Sequence, residues 1–351
     1  MAYPLNCLER PPASGEPVSA SHTVHSYRIH HLSLQIISHQ PDIFNLLDQR
    51  FGVFRVVALP EDPLLRFYVC APPSDVLPPD EWTPAWQIYH QTSELTAGLA
   101  DSRLRFRYRD AGESLISLTD GWGSAYVRSS DSKHIRYRRC QDVLVPALFL
   151  LLSTQGLFPF HAAAVGWQNQ GIVIAGASGQ GKSTVLLHLL QAGMEYLADD
   201  GVLLREDTPV PRLYAFPGAI KCTPHTVSLL PDLHSMFTVT PPDISGKFRL
   251  YPLQNGHGAA AQAAPAMLLL PTVAADEETT LMPIDRVDAA LHCIPENTLL
   301  SNTALSRRHF NVLAQLIQHT ACYRVRLGKN MDSIGQQVRD VLRHLPTASR
   351  V

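Results

Sequence analysis

The chain has 351 residues, of which 45% are hydrophobic and 17% charged, and its formal net charge is −2. This is an ordinary globular balance, sufficient for two domains or one large domain, and it argues against a nucleic-acid binder with a broad basic face. The six cysteines are scattered with no C-x-x-C pair, which argues against a zinc ribbon and a disulfide framework. We therefore expect reduced thiols in a cytoplasmic protein.

We expect neither a signal peptide nor a membrane-spanning segment. Residues 1–14 have no apolar h-region and include Glu9 and Arg10. The longest apolar run covers residues 143–152, which is too short to cross a bilayer and is more typical of a buried helix.

The first 140 residues predict a mostly β accessory region without a catalytic motif. Strand-like runs occur at residues 32–37 and 51–59, and a proline-rich stretch at 71–84 predicts an extended loop. Between residues 86 and 127 apolar and charged residues alternate, which indicates half-buried antiparallel strands. We therefore predict two domains: this accessory region at 1–140 and a second domain at 141–351.

The second domain opens with a predicted helix at 142–154, followed by an extended segment at 158–167. The turn residues at 168–171 join that segment to an apolar strand at 172–175, so the two strands are expected to form an antiparallel hairpin. A helix is predicted next, at 183–192, with Gly193 as its C-terminal cap.

The remaining pattern mixes short strands and helices, so the predicted class is α/β. Asp285 and Asp332 are placed to cap the first and last of the closing helices, and Thr223 followed by Pro224 opens a short helix. Residues 231–263 look irregular. The other predicted elements are two strands around an acidic turn at 196–204, extended segments at 213–221, 267–273, 280–282 and 322–327, and helices at 286–293, 304–319 and 333–345.

The segment that joins the hairpin to its helix carries the strongest functional signal. It consists of Gly176, Ala177, Ser178, Gly179, Gln180, Gly181, Lys182, Ser183 and Thr184. Its first eight residues match G-x-x-x-x-G-K-[ST], in which glycines let successive N–H groups point at phosphate oxygens. Lys182 would reach the β- and γ-phosphates, Ser183 would hold Mg²⁺, and the helix dipole would favour the same anion. The segment therefore predicts an ATP site with Mg²⁺.

An acidic pair and a histidine complete the candidate site. Phosphoryl transfer needs a group that holds the metal and a group that positions or deprotonates the nucleophile. Asp199 and Asp200 are adjacent, and on an extended chain their side chains point to opposite sides, so one could bind Mg²⁺ and the other accept a hydroxyl proton. A simple turn at a strand end is the alternative. His161, just before the hairpin, could tune a carboxylate or pack in the core.

The residues from His161 to Asp200 resemble the HPr kinase/phosphorylase family, and more closely its HPr-kinase-like serine kinases. That family has a histidine, a hairpin, a G-x-S-G-x-G-K-S loop, a helix ending in glycine and an A-D-D turn. In this chain His161 lies 21 positions before Lys182 and Asp200 lies 18 positions after it, as in the family pattern (182 − 161 and 200 − 182). The resemblance is close over about 45 residues and loose over the rest of the C-terminal half.

The resemblance implies a kinase core related to ATP-dependent phosphoenolpyruvate carboxykinase. It implies that Asp200 accepts the proton of a substrate serine, that Lys182 binds phosphate, that Ser183 is a magnesium ligand and that His161 belongs to the active site. Asp199 is then the second candidate for the metal. HPr kinases assemble as oligomers, so a homo-oligomer is a further expectation.

The chain also departs from the family. Thr184 follows Lys182-Ser183 where HPr kinases carry glutamate, and the glutamate-arginine segment that supports the reverse reaction is not found downstream. Phosphorylase activity and HPr itself as substrate are therefore not assigned. A further basic residue of the site is left open among Lys221, Lys247 and Arg249.

Three other classes of nucleotide-binding protein contain a similar glycine-rich loop. An ABC-transporter ATPase needs an L-S-G-G-Q signature and a later strand ending in Asp-Glu, and neither is present. A regulator that binds nucleotide without turnover and a small-molecule kinase would use the same residues, so both stay open. The favoured interpretation is an ATP-dependent kinase acting on a serine-type hydroxyl of a protein or peptide.

Overall fold

The structure is a computed structural model that describes residues 22–70, 82–206, 210–230, 237–240, 242, 246–252, 260–274, 276–294, 297 and 303–345. The chain divides into two compact units: unit 1 comprises Met1–Leu157 and Leu299–Arg307, and unit 2 comprises Phe158–Thr298 and Arg308–Val351. Residues 141–157, which we assigned from the sequence to the second domain, belong to unit 1. Helices and several sheets are present, so the α/β class is confirmed at that level.

Unit 1 is built on one nine-stranded sheet in the order β3-β1-β2-β4-β9-β8-β7-β6-β5. Its strands are β1 (Thr23–Ile29), β2 (Leu32–Ser38), β3 (Arg55–Val56), β4 (Leu65–Cys70), β5 (Gln87–Gln91), β6 (Leu95–Ala100), β7 (Arg103–Tyr108), β8 (Gly112–Ser117) and β9 (Trp122–Val127). β4 is parallel to β2 and to β9, while β5 to β9 form an antiparallel meander. The antiparallel strands predicted between residues 86 and 127 are thus confirmed, whereas most of the predicted loop at 71–84 lies outside the described residues.

The helices of unit 1 are α1 (Asp42–Phe51), followed by a 3₁₀ turn (Gly52–Phe54), and α2 (Lys133–Thr154). The strand predicted at 51–59 was wrong except for the two residues of β3. The buried residues of α1 recur at helical spacing, whereas Val53 and Phe54 of the 3₁₀ turn are apolar but not buried, and with Phe51 they resembled the start of a strand. α2 starts earlier than predicted because Ser132 caps it, its side chain accepting a hydrogen bond from the Ile135 N–H.

Unit 2 contains a larger mixed sheet and a small one. Its strands are β10 (Leu157–Phe160), β11 (Ala162–Trp167), β12 (Gln170–Ala175), β13 (Glu195–Ala198), β14 (Val202–Arg205), β15 (Arg212–Tyr214), β16 (Ile220–Cys222), β17 (Phe237–Thr240), β18 (Phe248–Pro252), β19 (Gln262–Val273), β20 (Thr280–Pro283) and β21 (Ala321–Leu327). The larger sheet has the order β10-β14-β15-β19-β12-β11-β13, with β21 joined to β19 and β20 to β21, and the small sheet has the order β16-β18-β17. β17 and β18 show that the irregular structure predicted for 231–263 was wrong at 237–240 and 248–252, while 231–236, 241, 243–245 and 253–259 lie outside the described residues.

Strand directions bring four strand ends to one edge of the larger sheet. β11 and β12 form the predicted antiparallel hairpin, and the two turn residues, Gln168 and Asn169, have φ values of +51° and +65°, as a tight type I′ turn requires. β13 is antiparallel to β11, β19 is parallel to β12, and β21 is parallel to β19. The carboxyl ends of β12, β13, β19 and β21 therefore lie along the same edge, which we call the C-terminal edge.

The remaining helices are α3 (Lys182–Gln191), α4 (Pro224–Ser228), α5 (Arg286–Cys293), α6 (Ala304–His319) and α7 (Ile334–His344), all in unit 2 except the start of α6 up to Arg307, which belongs to unit 1. All five predicted helices are therefore present. Asp285 accepts a hydrogen bond from the Asp288 N–H at 2.8 Å and caps α5 as predicted. The cap predicted at Asp332 was wrong, because the N-cap residue of α7 is Ser333 and its side chain makes no capping bond.

α3, which follows β12, packs against α7. A Cβ atom at Gly335 would lie 2.3 Å from Cβ of Ala192, so α7 approaches the end of α3 as closely as a glycine allows. Arg339 Nη1 donates a hydrogen bond to the carbonyl oxygen of Ala192. The shared core of these helices includes Leu186, Leu190, Ile334, Val338 and Leu342, all buried.

The described residues bear on two expectations, that of no membrane-spanning segment and that of reduced cysteines. Within them, the helices lack the combination of length and apolar character needed to cross a membrane. The five cysteines among them are buried and form no disulfide.

Candidate active site

A glycine-rich loop, residues 176–184, connects the end of β12 to α3. Gly176, Gly179 and Gly181 have φ values of +136°, +86° and +97°, a region that favours glycine. A Cβ atom at Gly181 would also lie 2.4 Å from Cδ1 of Leu327. The loop conformation thus depends on Gly176 and Gly181, which the motif G-x-x-x-x-G-K-[ST] fixes, and on Gly179, which it does not.

The loop is braced by its own side chains. Gln180 Oε1 accepts a hydrogen bond from the Ala177 N–H at 3.0 Å. Lys182 Nζ donates to the carbonyl oxygens of Gly176 and Ala177 at 2.7 and 3.2 Å, which places its ammonium group at the loop. Because α3 begins at Lys182, its first-turn N–H groups, which have no partner within the helix, and the positive end of its dipole lie at the same place. This combination favours a bound anion.

Asp199 follows β13 and is nearly buried, with 8% of its surface exposed. Ser183 Oγ donates to its Oδ1 at 3.2 Å, and the Lys221 N–H donates to its Oδ2 at 2.9 Å. Burial raises the pKa of Asp199 to about 6, against the opposing effect of the Lys221 N–H, and the neighbouring Asp200 adds to the rise. The Asp199 carboxyl thus lies with its oxygens beside the Ser183 hydroxyl.

Asp200 has a φ of +63°, in the left-handed region that aspartate tolerates better than most residues. The extended backbone that we assumed for the acidic pair was therefore wrong. The two carboxylates still face different partners, because the chain turns between them. Asp200 Oδ1 lies 3.4 Å from Nδ1 of His161, its Oδ2 lies 3.4 Å from Nζ of Lys221, and 38% of its side chain is exposed.

His161 precedes β11 and lies beside a different oxygen of Asp200 from Lys221. Its side chain is 37% exposed, so it does not belong to the core. Its backbone N–H donates to Oδ1 of Asn297, whose Nδ2 donates to the carbonyl oxygen of Cys293 at 2.8 Å. Asn297, which the sequence pattern did not single out, thus ties the start of β11 to the end of α5.

These groups face one cavity of about 570 Å³, within the roughly 300–1,000 Å³ that is common for ligand sites. Of the residues predicted for the site, it is lined by His161, Ser178, Gly179, Gly181, Lys182, Ser183, Thr184, Asp199 and Asp200. Lys221 and Lys247 also line the cavity. Arg249 is not among the lining residues and lies opposite Lys221 in the β16–β18 ladder.

Two further walls of the cavity were not found from the sequence. One comes from β16 and α4 and consists of Cys222, Thr223, His225, Thr226 and Leu229; the other follows β19 and β21 and consists of Val273, Ala274, Leu327, Gly328, Lys329 and Met331. On the first wall, Thr226 Oγ1 lies 3.1 Å from Oγ1 of Thr184, which links α4 to the glycine-rich loop. The second wall could have been found from the rule that ligands bind at the carboxyl ends of parallel strands, had the strand order been known.

Comparisons with known proteins add little to this geometry. No protein-family model matches the chain, and no curated protein matches it. Among solved structures, the HPr(Ser) kinase/phosphatase from Coxiella burnetii is a weak structural neighbour, with 14% sequence identity and a TM-score of 0.26 over 53% of this chain and 93% of that chain. A TM-score of this size does not establish a common fold.

Proposed function

We propose that this chain is an ATP-dependent kinase that transfers the γ-phosphate of MgATP to a serine-type hydroxyl group of a protein or peptide. The observation that carries the proposal is the shared cavity of Lys182, Ser183 and the two aspartates. Asp199 is buried and hydrogen-bonded to Ser183, whereas Asp200 is half-exposed between His161 and Lys221. The two carboxylates therefore have the different surroundings that two different roles require.

The residues present fit a nucleoside triphosphate. The positive φ values of the loop glycines allow its backbone to curve around an anion, and the α3 N-terminus and Lys182 supply positive charge at the same place. This fit, together with the HPr-kinase-like sequence pattern, supports ATP as the phosphate donor.

The oxygen ligands present also fit Mg²⁺. Ser183 Oγ and an Asp199 oxygen lie 3.2 Å apart and would hold the ion. Among the described residues there is no group of three or more His, Cys, Asp or Glu side chains that could bind a metal ion alone. Phosphate oxygens and water would complete the ligands, as is usual for magnesium at triphosphates. When bound there, Mg²⁺ would neutralise charge on the β- and γ-phosphates.

The chain's own residues account for the transfer as follows. Asp200 accepts a hydrogen bond from the substrate hydroxyl and takes its proton as the oxygen attacks the γ-phosphorus; the bond to the bridging oxygen breaks, and ADP leaves. Lys182 stabilises the negative charge of the transferring group. His161 and Lys221, each within 3.4 Å of one Asp200 oxygen, hold the carboxylate in place.

The proposal is tested with the Asp200→Asn variant. Asparagine keeps the shape and tolerates the left-handed backbone but cannot accept the proton. We expect transfer of label from γ-labelled ATP to fall by about 10²–10⁴-fold while the affinity for MgATP, measured by calorimetry, changes little. The acceptor is sought in extract of the source cells, as a band or small molecule labelled only by wild type. Asp276→Asn is the matched control, because Asp276 is a similarly exposed carboxylate paired with Arg326 outside the cavity lining.

The Lys182→Ala variant tests the phosphate site itself. Loss of the ammonium group should lower transfer by about 10²–10³-fold. Near-normal transfer by this variant would contradict the assignment of the loop. If wild type binds MgATP but labels no acceptor, the nucleotide-binding regulator becomes the better interpretation.

A further inference from the structure

The wall of the cavity that follows β19 and β21 has an apolar surface beside the glycine-rich loop. We call it the rim and define it as Val273, Ala274, Leu327, Gly328 and Met331. Val273 is 68% exposed although it lines the cavity, while Leu327 and Met331 are 6% and 5% exposed and support the surface from below. The rim thus offers apolar area to a ligand inside the cavity.

The rim is held in a fixed shape by hydrogen bonds that its backbone N–H groups donate. The Ala274 N–H donates to the Leu327 carbonyl at 3.0 Å, which joins the ends of β19 and β21. The Gly328 N–H donates to Oγ1 of Thr279 at 3.1 Å, and a Cβ atom at Gly328 would lie only 2.5 Å from the carbonyl carbon of Glu278. A preformed surface of this kind loses little conformational entropy when a ligand binds.

Charge is also balanced at the rim. Lys329 follows Gly328, and its ammonium group pairs with the carboxylate of Glu277. The side chains that face Asp200, His161 and Lys221, belong to other walls. The rim is therefore suited to an uncharged, flat part of a ligand rather than to a phosphate or an acidic peptide.

Strand order decides which part of a nucleotide would reach the rim. Along the C-terminal edge the order is β13, β11, β12, β19 and β21. The acidic pair follows β13, the glycine-rich loop follows β12, and the rim follows β19 and β21. With a strand spacing of about 4.8 Å, the acidic pair and the end of β19 are roughly 14 Å apart, on opposite sides of the loop.

We propose that the rim binds the base of the nucleotide whose phosphates the glycine-rich loop holds, and this rests on the proposed function. Since the γ-phosphate must lie next to Asp200, the rest of the nucleotide extends away from β13, across the loop, toward β19 and β21. Leu327 packs against Gly181, so the rim continues directly from the loop. A flat aromatic base covering Val273 buries apolar surface on both sides. The phosphate acceptor then enters along the wall formed by β16 and α4.

The test compares MgATP with magnesium tripolyphosphate, which has the phosphates but no base. In the Val273→Asp variant a carboxylate replaces the exposed apolar side chain of the rim. We expect its Kd for MgATP, measured by calorimetry, to rise at least tenfold, while its Kd for magnesium tripolyphosphate stays within about twofold of wild type. Val287→Asp is the matched control, because Val287 is 70% exposed on α5 and does not line the cavity.

The other outcomes overturn either the base site alone or both the base site and the phosphate site. Equal weakening of both ligands by Val273→Asp would mean that the carboxylate acts on the phosphates, and would overturn the rim as a base site. Unchanged MgATP affinity would do the same, and a loss with Leu229→Asp instead would place the base on the α4 wall. In each of these cases tripolyphosphate binding by wild type leaves the proposed phosphate site intact, whereas a wild type that binds neither ligand overturns both proposals.

Discussion

Lys221 serves both carboxylates of the acidic pair, through different atoms. Its backbone N–H holds Oδ2 of Asp199 at 2.9 Å, and its ammonium group lies 3.4 Å from Oδ2 of Asp200. β16, which carries it, is paired to β18, so the N–H is fixed by the sheet and does not depend on the side chain. A change of side chain at this position therefore affects Asp200 and leaves the Asp199 contact in place.

The Lys221→Met variant separates the two contacts. Methionine keeps most of the length but removes the charge, so Asp200 loses the ammonium group beside its Oδ2 and is held less firmly. We expect kcat for phosphate transfer to fall by up to about 100-fold, with the Kd for MgATP within about threefold of wild type. Lys221→Arg should restore part of the loss.

A control variant at Lys329 tests whether kcat depends on the position of Lys221 or only on the net charge of the cavity. Lys329→Met removes a positive charge from the opposite wall, where the lysine pairs with Glu277. It should leave kcat within about twofold of wild type. An equal loss in both variants would mean that Lys221 acts only through the net charge of the cavity.

At the residue scale the sequence predicted the candidates but could not choose among the basic ones. His161 and the acidic pair flank the motif at fixed intervals, and all of them line the cavity. Lys221 and Arg249 lie on short strands, where only the β16–β18 register and the direction of each side chain decide which one faces Asp200. Asn297 follows a helix without any motif, so no sequence signal marked it.

At the scale of elements, α7 supports the helix that follows the glycine-rich loop. Gly335 lets α7 approach Ala192 at the end of α3, and Arg339 donates to the Ala192 carbonyl. The close contact with α7 lies at the C-terminal end of α3. It therefore helps to fix the helix whose N-terminal end carries Lys182 and Ser183. Position 335 in the helix is a case in which packing outweighs helix propensity.

The Gly335→Ala variant should be less stable than wild type despite the better helix propensity of alanine. Its Cβ would lie 2.3 Å from Cβ of Ala192, and such overpacking costs about 1–3 kcal/mol against a gain of about 1 kcal/mol from propensity. We expect the free energy of unfolding in urea to fall by about 1 kcal/mol. Adding Ala192→Gly removes the colliding atom, so a double variant no more stable than Gly335→Ala would contradict this explanation.

Elements whose apolar residues recur at a regular spacing were predicted well. Elements whose apolar residues fit both a helix and a strand, or neither, were not. The three helices after Asp285 were predicted from their apolar spacing, and for α5 the Asp285 cap agrees with it. α1 was missed because the apolar residues of the following 3₁₀ turn read as part of a strand, although tertiary packing buries the helical face of Ile43, Phe44 and Leu47. β17 and β18 are short and pair with each other, and β18 also pairs with the short strand β16, so their stability depends on partners that a local pattern does not contain.

At the scale of the whole molecule, the proposed chemistry belongs to unit 2. Every residue that lines the cavity lies in that unit. A ligand that binds the folded form stabilises the structure that contacts it, by about 2.7 kcal/mol at a concentration of 100 times Kd. We infer that nucleotide binding changes the local stability of the loop and of the C-terminal edge.

Hydrogen exchange measures this directly. MgATP should slow amide exchange in peptides that contain the glycine-rich loop, the Asp199–Asp200 turn and the rim, and should leave the strands of unit 1 unchanged. The Lys182→Ala variant at the same nucleotide concentration provides the control and should show little slowing. Slowed exchange in β5 to β8 would contradict the restriction to unit 2.

The two-residue turn at Gln168 and Asn169 also sets the order in which the site forms during folding. A hairpin closed by so short a turn needs only local contacts and forms within microseconds, whereas parallel strands distant in sequence pair slowly. His161 and the glycine-rich loop flank this hairpin and are therefore brought together early. The rim forms only after β19 and β21 have joined the sheet. A nascent chain released just after α3 would thus already hold the histidine beside the phosphate loop, but with no surface for the base.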